Sequence, residues 1–216
     1  MARHRLGVLI SGRASNLQAL IDACARPDFP AEIALVVSNE PRARGLARAA
    51  AAGIAARVID HRGFADRPAF ETSLDEALTE AAVDLVCLAG FMRLLTETFV
   101  ARWRDRLINI HPSLLPAYKG LDTHQRVLAD GVRFTGCTVH FVRPEMDDGP
   151  IVVQAVVPVL AGDDEELLAA RVLAAEHRCY PHAVRLIAEG RVTVDGRRTV
   201  VAGAAAAKGT LLNPAD

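Results

Sequence analysis

The stretch Leu6-Gly7-Val8-Leu9-Ile10-Ser11-Gly12-Arg13-Ala14-Ser15-Asn16-Leu17-Gln18-Ala19-Leu20-Ile21 decides the fold. Residues 6–10 form an unbroken apolar run of strand length, and the Gly-containing turn after it leads directly into a helical pattern. Leu17, Leu20 and Ile21 then recur on one face of a helix over 15–25. A strand that is apolar throughout is covered on both faces, as in a parallel sheet flanked by helices.

The same alternation continues outward. Strands are expected over 33–37, 56–59, 85–89 and 107–110. Between them lie a helix opened by Pro41 and closed by Gly53, a helix over 68–82, and a helical turn over 96–103. The second half changes character. Residues 137–142 and 151–157 are Val-rich and joined by the turn-forming segment 144–150, which reads as an antiparallel extension. Asp163 with Glu166 gives a capping-box-like start to a long helix ending near Glu189 and Gly190, with a kink expected at Pro181. A terminal hairpin is expected around Asp195-Gly196. The fold class is therefore α/β: a Rossmann-like, doubly wound, mostly parallel sheet with an antiparallel C-terminal extension and a long C-terminal helix. One domain over 1–202 is expected, with 203–216 as a fraying tail.

Composition narrows the function. A net charge of −1 gives no basic field for nucleic acid or an anionic membrane. The basic N-terminus precedes too short an apolar run for a signal or a membrane span, so a soluble cytoplasmic protein is expected. Cys24, Cys87, Cys137 and Cys179 lack any C-x-x-C spacing and read as reduced core thiols. The histidines show no metal-binding spacing, so no metal is expected. No G-x-S-x-G elbow marks a serine nucleophile.

Three segments bear chemistry. Residues 11–16 sit at the carboxyl end of a strand, where open α/β sheets bind ligands. A helix starting at Ser15 and Asn16 presents backbone N–H groups to an anion. The segment is neither G-x-G-x-x-G nor a Walker loop, and a plain helix cap explains it equally well. Gly90-Phe91-Met92-Arg93-Leu94-Leu95 follows another strand and reads either as a flat ligand pocket or as core. Asn109-Ile110-His111-Pro112 puts an amide and an imidazole on one face of a strand end, a pairing suited to chemistry at a carbonyl. A structural histidine is the competing reading. A carboxylate beside the ring would favour the imidazolium, with Asp147 or Asp148 as candidates, although both also suit a solvated loop tip.

Taken together these motifs resemble the folate-dependent formyltransferase family. The likeness spans about 6–190. It rests on 11–19, on Leu88-Ala89-Gly90-Phe91-Met92-Arg93, on 109–116, and on Gly120-Leu121-Asp122-Thr123-His124. Val139-His140-Phe141-Val142, Met146-Asp147-Asp148-Gly149-Pro150 and Glu176-His177 extend it. The resemblance implies a catalytic trio of Asn109, His111 and Asp147. It implies a ribonucleotide site at Ala14, Ser15, Asn16 and Glu176. For the folate it implies Arg67, Met92, Arg93, Leu94, Leu95, Asn109, Arg143 and Asp147. The expected reaction moves a formyl group from 10-formyltetrahydrofolate to glycinamide ribonucleotide, in a monomer or homodimer. A deformylase that sends the group to water is the alternative within the fold, and a nucleotide-binding module without catalysis the alternative outside enzymes. Deformylases carry an extra N-terminal domain and tRNA formyltransferases a basic C-terminal one, whereas here the first strand begins at Leu6. Three residues depart from the family pattern. Ala14 replaces a glycine of the phosphate loop, requiring either a negative φ or an altered approach to phosphate. Asp148 replaces a common glycine and adds charge beside Asp147. Leu173 stands where some relatives carry a polar contact.

Overall fold

The computed structural model describes residues 3–205 and 209–214. A seven-stranded sheet is built from β1 (His4–Ile10), β2 (Ala31–Ser38), β3 (Ala56–Val58), β4 (Leu85–Leu88), β5 (Leu107–His111), β6 (Phe134–Phe141) and β7 (Ile151–Pro158), in the order β3-β2-β1-β4-β5-β6-β7. Pairings through β5 are parallel, whereas β5–β6 and β6–β7 are antiparallel. The doubly wound sheet and its antiparallel extension are thus as the sequence predicts. A separate hairpin joins β8 (Val192–Asp195) to β9 (Arg198–Val201).

Strand alternation divides the core into two layers. Leu6, Val8 and Ile10 of β1 face one cluster with Leu17 and Leu20 of α1 (Ser15–Cys24). That cluster also takes Ala49 of α2 (Gly45–Ala51), Val127 of α5 (Thr123–Asp130), and Leu168, Val172 and Tyr180 of α6 (Glu165–Ala188). Leu9 faces the opposite cluster, with Phe70, Leu74 and Leu78 of α3 (Arg67–Glu80) and Phe99 and Trp103 at α4 (Glu97–Arg102). Period-two strands filled on both sides by helices explain why the apolar runs do not alternate with polar residues. All four cysteines are buried free thiols.

Several boundaries differ from the sequence reading. The helix expected from Pro41 starts at Gly45, because residues 40–43 close a turn in which Ala43 N donates to Glu40 O at 3.2 Å. Gly45 is fixed there by close packing, since a Cβ would lie 2.5 Å from Ile10 and 2.7 Å from Ala14. Helix α5 was not expected; its eight residues follow Asp122 in a left-handed conformation, with no side-chain cap to announce it. The cap of α6 is Asp164, which accepts from Leu167 N at 2.8 Å, rather than Asp163. Asp163 instead accepts from Leu160 N and pairs with Arg171. Pro181 lies within α6, which continues to Ala188.

Two contacts tie elements near the carboxyl ends of the strands. The hydroxyl of fully buried Tyr180 donates to Leu88 O at 2.9 Å and lies 3.3 Å from Ile108 O, pinning α6 across β4 and β5. Buried Glu71 of α3 accepts from Thr96 N at 2.9 Å and from the Thr96 hydroxyl, and Thr96 caps α4. No helix among the described residues is long and apolar enough to cross a membrane.

Candidate active site

In an open sheet the ligand crevice forms where strand order reverses. Here β1 and β4 are neighbours whose connections leave in opposite directions, and the loop after each lies at that point. The loops are joined: Ser11 N donates to Gly90 O at 3.1 Å, and Ser11 Oγ accepts from Met92 N at 2.8 Å while donating to buried Asn39 at 2.6 Å. Residues 11–16 and 90–95 are therefore one composite surface.

Ala14 settles one departure. Its φ is +51° and ψ is 51°, the left-handed conformation that costs an alanine roughly 1–2 kcal/mol. Of the two alternatives, the negative φ is excluded: the chain keeps a left-handed backbone of the kind a glycine adopts and accepts the strain. Ala14 caps α1 without a side-chain hydrogen bond, leaving the first-turn N–H groups to a ligand. In the same turn Asn16, largely buried, donates from Nδ2 to Glu176 Oε2 at 2.8 Å. Burial pushes the Glu176 carboxyl up to about 7, opposed by that hydrogen bond. Asn16 Oδ1 is buried with no partner among the described residues. The sequence-predicted ribonucleotide residues Ala14, Ser15, Asn16 and Glu176 thus converge, although α1 and α6 lie far apart in the chain.

Beyond β4, the loop resolves the choice between core and pocket residue by residue. Phe91 is buried in the core and Leu95 packs against it, whereas Met92 and Leu94 are exposed. Arg93 lies 5.5 Å over the Phe70 ring. Arg67 is exposed at the start of α3.

The third group is at the end of β5. His111, 5 % exposed, places Nε2 2.8 Å from Tyr118 O and Nδ1 3.4 Å from Asp147 Oδ2. Tyr118 O only accepts, so Nε2 carries a proton. Nδ1 faces the Asp147 carboxylate, so the ring is held between a carbonyl on one side and a carboxylate on the other. Asp147 Oδ2 also accepts from Gly120 N at 2.8 Å, and Asp147 itself has a φ of +49°. Asn109 Nδ2 lies 3.4 Å from His140 Nε2. His140 Nδ1 faces Phe141 O at 3.0 Å and therefore donates, which leaves Nε2 to accept from the amide. Burial lowers the affinity of His140 for a proton, which keeps it in that neutral acceptor form.

Strand direction explains how Asp147 arrives. Because β6 is antiparallel to β5, the loop after it leaves at the amino end, with Val142 N donating to Leu107 O at 2.9 Å. It must double back about 10 Å, the rise of three strand residues, to meet His111. Arg143 stays at the amino end, its guanidinium held by Asp105 at 2.6 Å and by Val142 O. Its side chain is thus committed away from His111.

Sequence reasoning did not single out His140, Tyr118 or Gly120 as site residues. The signal for His140 is its pairing with Asn109, which needs the β5–β6 register. Backbone donors and acceptors such as Gly120 N and Tyr118 O leave no side-chain signal. Among the described residues no group of three or more His, Cys, Asp or Glu gathers as metal ligands.

Comparisons with known proteins identify the family. The pattern of the formyl transferase family matches residues 4–184. The chain is similar to phosphoribosylglycinamide formyltransferase of Escherichia coli K12, 45 % identical over 92 % of this chain and 97 % of that protein. It is 51 % identical to the trifunctional purine biosynthetic protein adenosine-3 of Bos taurus over 87 % of this chain, which spans only 19 % of that longer protein. Glycinamide ribonucleotide transformylase 1 from Symbiobacterium toebii superposes with a TM-score of 0.90 at 49 % identity, covering 92 % of this chain and 94 % of that one. With the family pattern covering most of its length, this chain belongs to the formyl transferase family.

Proposed function

We propose that this protein transfers the formyl group of 10-formyltetrahydrofolate to the amine of glycinamide ribonucleotide, a step of purine biosynthesis. The observation that carries the reading is the approach of Asp147 to His111 beside an Asn109 amide held by His140. In the proposed reaction the neutral amine of the glycinamide attacks the N10-formyl carbon. Negative charge then develops on the formyl oxygen. The second N–H of Asn109 supplies a hydrogen bond to it, and His111, whose two ring nitrogens face Tyr118 O and Asp147, adds positive charge when protonated rather than a free N–H donor. Collapse breaks the bond to N10, and the proton lost by the amine reaches N10 through His111, Asp147 or an ordered water. The free N–H groups opening α1 hold the phosphate. Glu176 and Asn16 line the ribose and glycyl end, where the unpartnered Asn16 Oδ1 offers an acceptor. Exposed Met92 and Leu94, with Arg67, Arg93 and Leu95 around them, form the folate side, together with the backbone of the loop from Arg143 to Asp147. Residues 1–202 act as one formyltransferase domain, with 203–216 as its tail.

Deformylation competes as a reading because the same trio would serve attack by water. The Asn16–Glu176 pair favours an organic acceptor, since water needs no such site. Formyl transfer is tested by incubating purified protein with 10-formyltetrahydrofolate, with and without glycinamide ribonucleotide. Turnover is expected only with the ribonucleotide; equal turnover without it would make the protein a deformylase. In the same assay Asp147→Asn should lower kcat on the order of 10²-fold or more while substrate KM values change little. Near-normal turnover would remove Asp147 from the mechanism.

A further inference from the structure

The extra carboxylate at Asp148 is not left beside Asp147 as free negative charge. It accepts from Lys119 Nζ at 2.7 Å and from Arg197 Nη2 at 2.8 Å, joining three segments distant in sequence. These are the turn after β5, the loop that carries Asp147, and the tip of the β8–β9 hairpin. The Lys119 ammonium, hydrogen-bonded to it, holds the Asp148 carboxyl below its ordinary range, with Arg197 adding to the effect.

The position of Lys119 gives the pairing its importance. Its neighbour on one side, Tyr118, presents the carbonyl that His111 meets; its neighbour on the other, Gly120, presents the N–H that Asp147 accepts. The Lys119 backbone is therefore fixed beside the trio, and its flexible four-carbon stem gives the ammonium reach to either adjacent carboxylate. A cation drawn to Asp147 would compete with His111 for the same oxygens. We propose that Asp148 is a positioning residue: it captures the Lys119 ammonium and so reserves the Asp147 carboxylate for His111 and Gly120. The inference rests on the formyl-transfer reading of the site.

Of the two partners, Lys119 dominates. The Arg197 side chain is 82 % exposed, against 35 % for Lys119, so solvent and salt screen the Arg197 pair more strongly. Arg197 anchors the hairpin tip from outside, and Arg197→Ala should leave kcat within about twofold.

A double-mutant cycle on the full-length enzyme tests this, with kcat and both KM values measured per folded protein. Asp148→Asn, which frees the ammonium but keeps the side-chain shape, should lower kcat about five- to twentyfold with little change in the KM for ribonucleotide. Lys119→Met should stay within about threefold of the parent, and Lys119→Met combined with Asp148→Asn should recover most of the lost kcat. A purely architectural Asp148 would give no recovery. Parental kcat in Asp148→Asn overturns the proposal, as does a double variant as slow as Asp148→Asn. Absence of transfer by the unsubstituted enzyme would strike the formyl-transfer reading itself, which separates the two failures.

Discussion

Ala14 and Glu176 are both held in states that their side chains resist. Ala14 keeps φ at +51° without the freedom of a glycine. Ala14→Gly should relieve that strain, offset in part by greater freedom of the unfolded chain. A net gain of about 0.5–1 kcal/mol, or roughly 1–4 °C in melting temperature, is expected. A lower melting temperature would show that the alanine methyl, packed beside Gly45, matters more than its backbone. Glu176 is strained electrostatically: burial raises its carboxyl from 4.5 to about 7. A group whose folded value lies above its unfolded one stabilises fully below the unfolded value and loses that contribution as pH rises through the folded one. Substrate-free protein should therefore lose stability between about pH 4.5 and 7, by about 3 kcal/mol at 1.36 kcal/mol per unit. Glu176→Gln should remove the loss, so urea-unfolding curves of the two proteins should diverge with rising pH; curves that stay parallel would contradict the assignment. At this scale the sequence exposed which side chains were unusual, such as the alanine in the turn before α1. It did not expose their conformations, because φ and burial are imposed by neighbours such as Gly45 and α6.

Among the elements, those whose identity rests on an apolar pattern were readable. Strand β1, helix α1, the antiparallel pair β6–β7 and helix α6 all appear with ends near their expected positions. Those fixed by local chemistry were less so. Pro41 fits a turn as well as a helix start, and adjacent Asp163 and Asp164 offer two caps, between which only the bond from Leu167 N decides. Short α5 begins after a left-handed residue and had no cap to reveal it. The junction of α3 and α4 carries a consequence for the proposed folate side. Glu71 holds both the N–H and the hydroxyl of Thr96, the residue that ends the loop containing Met92 and Leu94. Glu71→Ala would leave those donors without their carboxylate and should cost about 2–3 kcal/mol of stability. It should also raise the KM for the folate more than that for the ribonucleotide, and Glu71→Gln should restore part of both. Equal changes in the two KM values would show that the clamp does not act on that loop.

For the molecule as a whole, the parallel half of the sheet follows from its apolar runs and connecting helices, and the place of the turn between β1 and α1 follows from that half. The meeting of Asp147 with His111 did not. The acidic pair could be placed in a loop between strands, but its reach depended on β6 reversing direction and on the loop folding back along β5. Long-range register of this kind is set by packing against α6 and β7 rather than by any local pattern. The family resemblance supplied the trio, and the geometry supplies its spacing.

The bond from Asn16 to Glu176 joins residues 160 positions apart. A chain is synthesised from its amino end, so the loop of α1 leaves the ribosome long before the carboxylate that faces it. Strands β1 to β5 can pair while Asn16 still lacks its carboxylate partner, and Asp147 emerges before Glu176. The cluster of Asn109, His111 and Asp147 can thus assemble before the Asn16–Glu176 pair, which waits on α6.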